Sequence, residues 1–187
     1  MPLPKEKLYT SDEFINLFPE QSVSELKELI EGEIVEMSAP SILHQKISIE
    51  VSSEIRNYIK KNKGSCSVFT APFDVKLDDY NLVMPDISVI CDESKLSNGK
   101  RCNGSPDWII EIVSSNWRDD YIKKLDLYQR NGVREYWIID PNYKKTLVYF
   151  FDERPFPSVY TFEMPIPVGI YKNKAVQLSI NVAELLK

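Results

Sequence analysis

The 187-residue sequence predicts an α/β (α+β) fold in which a mixed β-sheet is flanked by helices. Three observations support this prediction. First, five apolar residues recur every four positions and form one stripe along a long helix: Leu43, Ile47, Val51, Ile55 and Ile59. Second, short runs rich in β-branched and aromatic residues follow at 66–70, 73–77 and 86–91. Third, a helical segment lies between two apolar strands at 106–116 and 135–140, which indicates a right-handed crossover with parallel pairing.

The first elements are short. Thr10 and Glu13 have the spacing of a capping box, which predicts the start of a helix. A second short helix is predicted over 23–30, followed by a turn at Gly32 and a strand over 33–38.

The long helix is predicted to begin after Pro40 at Ser41 and to end at Gly64. The crossover helix is predicted over about residues 119–130. The strand that follows it is expected to pair with a second strand over 145–151.

The tail from about residue 155 to about residue 180 contains several prolines, which favour short strands at a sheet edge. The last residues, 181–187, predict a terminal helical turn. The length suits a single domain over 1–187, because one core of this size leaves too few residues for a second.

Composition and charge limit the function classes. No apolar run reaches the length of a membrane span, and the N-terminus lacks the apolar core of a signal peptide, so a cytoplasmic location is expected. The net charge of −5, from 23 basic and 28 acidic residues, argues mildly against a nucleic-acid partner. The three cysteines, Cys66, Cys91 and Cys102, are odd in number and have no CxxC spacing. This argues against a disulfide framework and a zinc site, and it fits a reducing compartment.

Glu111 is a carboxylate within an apolar strand, where burial costs several kcal/mol unless a cation or hydrogen-bond donors meet it. Asp86 follows Pro85 at the start of another strand. If the two strands pair, both carboxylates converge at the sheet edge, where they and a neighbouring carbonyl would suit Mg²⁺ or Mn²⁺. Alternatively, Asp86 caps a turn and Glu111 pairs with a lysine or arginine. Spacing alone supports both interpretations equally.

The predicted crossover helix contains a lysine that could supply positive charge to these carboxylates. Asp120, Lys124 and Tyr128 recur at i, i+4 and i+8 on one helical face. The ammonium of Lys124 could return to the carboxylates, or it could form a surface pair with Asp120 worth about 0.2–0.5 kcal/mol.

An ordered set of segments resembles the PD-(D/E)xK nuclease superfamily. Within it, the set resembles the Uma-type endonucleases, a restriction-endonuclease-like family. The segments are "ELIEGEIVEMSAPSILH" (28–44), "VFTAPFDVKL" (68–77), "PD" (85–86), "PDWIIEIVSS" (106–115), "KLDLY" (124–128) and "GVREYWIIDP" (132–141). The resemblance therefore covers a nuclease core of about residues 28–150, before the C-terminal strands.

The resemblance implies a restriction-endonuclease-like fold and a metal-dependent endonuclease that hydrolyses phosphodiester bonds of DNA. Asp86, Glu111 and Lys124 would then be catalytic. Asp86 and Glu111 would hold Mg²⁺ or Mn²⁺, with the carbonyl of Ile112 as a further ligand. The superfamily lysine lies two residues after the glutamate, where this sequence has Val113, whereas the Uma-type lysine lies in the next helix and matches Lys124.

Two further residues, Glu33 and His44, have two interpretations each. Glu33 matches an acid in the family pattern and is either a third carboxylate of the site or an exposed acid at a strand start. His44, the one histidine, is either a base or a hydrogen-bonded structural group. Lys123 is a weaker candidate than Lys124, because it lies about 100° around the helix.

The expected partner is DNA, with no membrane involved. A homodimer is also expected, since two-fold symmetric subunits can cut both strands of a duplex, and the tail strands could supply the interface. Two alternatives remain open. One is an inactive nuclease-fold module that binds nucleic acid or a protein, favoured by Val113 and the acidic net charge. The other is a carboxylate-pair hydrolase acting on a sugar without metal, for which the sequence supplies no aromatic-lined cleft.

Overall fold

The computed structural model describes residues 7–19, 21, 25–114, 122–153 and 156–187. The predicted positions of Asp120 and of the first turn of the crossover helix lie outside these residues. Within them the helices are α1 (Ser11–Leu17), α2 (Ile42–Lys61), α3 (Lys124–Arg130) and α4 (Val182–Leu185). The strands are β1 (Lys27–Ile30), β2 (Glu33–Glu36), β3 (Ser67–Thr70), β4 (Val75–Asp78), β5 (Asn81–Val83), β6 (Ile87–Ile90), β7 (Cys102–Asn103), β8 (Trp108–Ile112), β9 (Glu135–Asp140), β10 (Lys145–Phe150), β11 (Ser158–Thr161), β12 (Ile166–Pro167) and β13 (Ser179–Ile180).

The predicted starts of the first helix and of the long helix are confirmed. At α1 the side chains of Thr10 and Glu13 form the reciprocal hydrogen bonds of a capping box. At α2 the hydroxyl oxygen of Ser41 accepts a hydrogen bond from the backbone N–H of His44. The apolar stripe of α2 is buried from Ile47 onwards, whereas Leu43 stays largely exposed at the N-terminal end.

The predicted helix over 23–30 is wrong for its described part, because Lys27–Ile30 forms strand β1 and pairs antiparallel with β2. The two-residue turn between them has positive φ angles of 53° at Glu31 and 81° at Gly32. Two left-handed residues match the twist of the flanking strands and close a hairpin. The side chain of Glu28 is therefore carried by a strand.

The described strands form two larger sheets and a small ladder. One sheet has the order β11-β10-β9-β8-β6-β3, and the other has the order β2-β1-β5-β4-β7. In the first sheet β8 and β9 are parallel, as the crossover predicts, and the other pairs are antiparallel. The pairing of β6 with β8, on which the convergence of Asp86 and Glu111 depends, is present, with Ile87 opposite Ile110. In the tail, β11 ends this sheet, whereas β12 and β13 pair with each other.

The first sheet separates two cores. Ile110 and Ile112 of β8 pack with α2, α4 and the tail on one face. Ile109 and Val113 pack with α3 and with strands of the other sheet on the opposite face. Alternation along β8 puts Glu111 on this second face. Among the described residues, no helix is long and apolar enough to span a membrane.

The argument against disulfide bonding is wrong for two of the three cysteines. Cys66 and Cys91 form a disulfide, because Ser67 of β3 lies opposite Ile90 of β6 and the next pair outward brings the two cysteines together. The sequence contains both strands but not their register. Cys102 keeps a free thiol, and burial raises its pKa to about 11.

Candidate active site

A cavity of about 380 Å³ lies where β6 begins and β8 ends. Strands β1 and β2, the N-terminus of α2 and the first residue of α3 also contribute to it. Its lining residues are Leu26, Glu28, Ile30, Val35, Glu36, Met37, Ser38, Ala39, Pro40, His44, Gln45, Ala71, Pro72, Asp86, Glu111, Ile112, Ser114 and Lys124.

Asp86 connects the start of β6 to the end of β8 at this edge. Its Oδ2 accepts a hydrogen bond of 2.7 Å from the backbone N–H of Ile112. The same oxygen lies 3.0 Å from Nε2 of His44, which lies in the first turn of α2. The backbone N–H of Asp86 in turn donates to Oε2 of Glu111 at 3.3 Å. Asp86 and Glu111 are thus brought together, as the sequence predicts.

Glu111 is almost fully buried, with 3% of its surface exposed, and α3 supplies two of its partners. The ammonium of Lys124 lies 3.0 Å from Oε1, and the hydroxyl of Tyr128 donates to the same oxygen at 2.6 Å. The predicted i, i+4 spacing of these two residues places both on the face of α3 that meets the strand. Lys124 therefore reaches the carboxylate of Glu111. Lys123 is exposed.

Glu28 is a member of the cluster that the sequence reasoning missed. Its Oε1 accepts a hydrogen bond of 2.8 Å from the backbone N–H of Met84, and its Oε2 lies 3.2 Å from Nζ of Lys124. Glu28 was missed because 23–30 was interpreted as a helix. The signal that could have found it is the Glu31-Gly32 pair between two short alternating runs, which is typical of a hairpin.

Among the described side chains of the cluster, the charges do not balance. The carboxylates of Glu28, Asp86 and Glu111 face the ammonium of Lys124 and the imidazole of His44. These five side chains together stay negative even when His44 is protonated. Buried charge of one sign is costly unless a counter-charge meets it, so the cluster favours a cation.

The remaining candidates lie elsewhere or serve packing. Glu33 is exposed at the start of β2 and does not line the cavity, as its second interpretation has it. Val113 is 5% exposed and packs in the second core. Asp120, the alternative partner of Lys124, lies outside the described residues.

The donor set fits a hard divalent cation. Asp86 and Glu111 provide carboxylate oxygens on rigid strands, and Oδ1 of Asp86 makes no hydrogen bond to any described residue. No group of three or more His, Cys, Asp or Glu side chains in the described part of the chain is arranged to hold a metal. A complete protein cage is not required, because Mg²⁺ is usually held by one or two carboxylates together with waters and substrate phosphates.

Comparison with known proteins shows the fold and the family of the chain. A crystal structure of a "putative nuclease belonging to DUF820" from Anabaena variabilis ATCC 29413 superposes with a TM-score of 0.75. The match covers 95% of this chain and 97% of the other at 24% sequence identity, which shows a shared fold and confirms the predicted fold class. No curated protein matches the chain. The sequence model of the Uma2 family, described as "Putative restriction endonuclease", matches residues 12–162. Since this match spans most of the chain, the protein belongs to the Uma2 family.

Proposed function

We propose that the protein is a metal-dependent endonuclease that hydrolyses phosphodiester bonds of DNA. One observation carries the proposal: side chains from the start of β6, from β8 and from α3 meet at one cavity, and among the described residues their carboxylates outnumber their cations. Membership of the Uma2 family supports a nuclease as the class of protein.

In this proposal Asp86 and Glu111 would hold Mg²⁺ or Mn²⁺, with the carbonyl of Ile112 as a further ligand. When bound, the cation supplies positive charge that stabilises the phosphoryl oxygens in the transition state. The N–H of Ile112 and His44 both engage Oδ2 of Asp86, which fixes the carboxylate and leaves Oδ1 for a ligand. Tyr128 orients Glu111 in the same way through Oε1.

Lys124 is the proposed third catalytic residue. Its ammonium lies between Glu28 and Glu111, at 3.2 Å and 3.0 Å from their oxygens. Two carboxylates on different strands define its position. A fixed ammonium there can hold a phosphate oxygen or orient the attacking water. Glu28 is a positioning residue, because it acts through Lys124.

The proposal includes DNA as partner, a homodimer and a cytoplasmic setting for one domain over 1–187. β11 ends the first sheet and carries an exposed Val159, so it is the candidate dimer strand. Light scattering of the purified protein measures the oligomeric state. The Cys66–Cys91 disulfide is the feature that fits a reducing cytoplasm least.

A second candidate is a nuclease-fold module that binds DNA or a protein without cutting. Val113 occupies the position of the superfamily lysine and is buried in the core. In addition, Oε1 of Glu111 is engaged by both Lys124 and Tyr128. This candidate predicts metal or DNA binding without cleavage.

Cleavage of supercoiled plasmid and of labelled single-stranded DNA tests the proposal, with Mn²⁺, with Mg²⁺ and with chelator. We expect metal-dependent cutting that falls at least about 100-fold in Asp86→Asn and in Lys124→Ala. Lys123→Ala is the matched control and should cut like the wild type, because its side chain is exposed. Cleavage in the presence of chelator would contradict the proposed metal dependence. Cutting lost only in Asp86→Asn would remove Lys124 from the proposal, and Mn²⁺ binding without any cutting would favour the binding module.

A further inference from the structure

The C-terminal half of α2 carries positive charge that no described carboxylate balances. Residues 55–73 contain four basic residues and no acidic one, although the whole chain has a net charge of −5. The four form what we call the basic patch: Arg56, Lys60, Lys61 and Lys63. All four are exposed, and none forms an ion pair with another described residue. Other cations of the chain pair with carboxylates, as Lys27, Lys76 and Arg130 do.

The helix dipole explains only part of the basic patch. Basic side chains in the last turn of a helix interact favourably with its dipole, which accounts for Lys60 and Lys61. It does not account for Arg56, which lies more than one turn before the last residue of α2. Arg56 and Lys60 are also at i and i+4, where like charges mildly destabilise a helix. The patch therefore favours an anionic partner.

One exposed face of α2 joins the basic patch to the cavity. The face begins at Gln45, which lines the cavity. Four residues follow it at i+4, i+8, i+11 and i+15: Ile49, Ser53, Arg56 and Lys60. At about 100° per residue these side chains share one side of the helix, and all of them are exposed. A ligand that reaches the cavity can therefore continue along this face to the patch.

The charge and the length of this face suit a nucleic-acid backbone. The acidic residues of α2, Glu50 and Glu54, lie about 120° and 160° around the helix from Arg56. The face itself carries neutral and basic side chains. Lys60 lies 15 residues beyond Gln45, which is about 22 Å along the axis, or about six to seven base pairs at 3.4 Å each.

We propose that this face of α2 binds the phosphate backbone of the DNA, so that the basic patch holds duplex flanking the phosphate at the cavity. The inference rests on the proposed function and adds the surface on which the flanking duplex lies. Contacts to phosphates set position and affinity without reading the base sequence. Because the chain is acidic overall, the patch also selects which surface faces the DNA.

Fluorescence anisotropy with a labelled duplex of about 20 base pairs, in chelator, tests the patch apart from the proposed metal-dependent cutting. The double variant Arg56→Gln/Lys60→Gln removes two charges and keeps helix-forming residues. We expect its affinity at low salt to fall at least about fivefold. The slope of log K against log salt concentration should become shallower by about two, because two phosphate contacts are lost.

Lys7→Gln/Lys100→Gln is the matched control. It removes the same charge from two exposed positions next to the second sheet. Because that sheet lies across the first sheet from α2, the control should bind DNA like the wild type. Thermal unfolding checks that both double variants fold. Equal weakening in both would reduce the effect to net charge and overturn the inference. Unchanged binding in Arg56→Gln/Lys60→Gln, or no duplex binding by the wild type, would overturn it as well.

Cleavage of the same duplex with Mn²⁺ separates this inference from the proposed function. We expect Arg56→Gln/Lys60→Gln to raise KM at least about fivefold with little change in kcat, because the patch lies far from the reacting phosphate. Unchanged KM overturns the inference and leaves the proposed function intact. If the wild type cuts no DNA, the proposed function fails, and the titrations in chelator decide the inference.

An anionic membrane is the rival partner for a basic surface. Vesicles of phosphatidylcholine and phosphatidylserine in equal parts test it by co-sedimentation. We expect no binding that depends on Arg56 and Lys60. Vesicle binding that Arg56→Gln/Lys60→Gln weakens, with its duplex binding unchanged, would assign the face to a membrane and overturn the inference.

Discussion

Two buried glutamates lie on neighbouring parallel strands and have opposite surroundings. Glu111 of β8 is 3% exposed and Glu135 of β9 is 0% exposed. In the register of the two strands Glu111 lies opposite Ile138, three residues beyond Glu135 and thus about 10 Å along the sheet. Glu111 meets a lysine ammonium and lines a cavity, whereas Glu135 does not line that cavity.

Glu135 meets neutral donors. Its carboxylate accepts hydrogen bonds from the backbone N–H groups of Gly169 and Ile170 at 3.0 Å and 2.9 Å, and from Nε1 of Trp137 at 2.7 Å. These bonds fasten the tail to the sheet. Burial raises the pKa of Glu135 to about 7, against the opposing effect of the three donors and of Arg134.

The comparison shows that burial of a carboxylate does not mark a functional site; the partners distinguish the two cases. The carboxylate of Glu135 accepts hydrogen bonds from fixed neutral groups, and these bonds join the tail to the sheet. Glu111 belongs to a cluster beside a cavity, and among the described side chains of this cluster negative charge exceeds positive charge. We therefore propose an added cation for the surroundings of Glu111 and not for those of Glu135.

Lys124→Met should give the largest change in stability. It leaves Glu28 and Glu111 buried without their shared ammonium, and loss of one partner of a buried ion pair costs about 3–5 kcal/mol. Urea denaturation measures the free energy of unfolding. Lys123→Met is the matched control and should change it by less than about 0.5 kcal/mol.

Added Mn²⁺ sharpens this prediction. A cation that binds the folded cluster compensates the carboxylates and should restore part of the stability of Lys124→Met. The account would be contradicted by equal losses in the two lysine variants.

Glu135→Ala should cost somewhat less, about 3–4 kcal/mol, because it leaves the three donors around Glu135 without their acceptor. The variant should bind Mn²⁺ like the wild type, since Glu135 is not part of the cavity. Glu163→Ala removes an exposed glutamate and is the control for urea denaturation. Weaker Mn²⁺ binding in a folded Glu135→Ala variant would contradict the separate roles assigned to Glu111 and Glu135.

Glu135 should also make the stability of the protein depend on pH. Because the folded-state pKa of Glu135, about 7, exceeds the ordinary value of 4.5, the folded protein holds this proton more tightly than the unfolded chain. The contribution to stability is complete below pH 4.5 and is lost as pH rises through 7. Its loss amounts to about 3 kcal/mol at most.

Glu135→Gln isolates this effect, because an amide does not titrate. Relative to the wild type, the variant should gain stability as the pH rises from 4.5 to 8 in urea denaturation. Parallel curves for the two proteins would contradict the assigned cause.

Much of this arrangement could be predicted from the sequence. The apolar runs around Asp86 and Glu111 gave the two strands, and helical spacing put Lys124 and Tyr128 on one face. Glu28 was not predictable in the same way, because the apolar residues of "VSELKELI" fit a helix as well as a strand. Tertiary pairing with β2 and β5 decides between them.

The register of the strands could not be predicted from the sequence either. The strands that contain Cys66 and Cys91 were both predicted, but nothing in their composition says that they are neighbours or which residues face each other. The role of Glu135 depends in the same way on a contact 34 residues away in the chain, at Gly169. Local sequence patterns predict secondary-structure elements and their buried faces. The partners of a side chain depend on long-range strand pairing, which local patterns do not predict.

The most direct test of the account is calorimetric titration of Mn²⁺ into the wild type, Asp86→Asn and Glu135→Gln. The two variants make the same carboxylate-to-amide change, one at the cavity and one in the fold contact. We expect the wild type and Glu135→Gln to bind Mn²⁺ alike, and Asp86→Asn to bind it at least about tenfold more weakly. Equal binding by all three proteins, or none by the wild type, would contradict the claim that the unbalanced carboxylates at this sheet edge form a cation site.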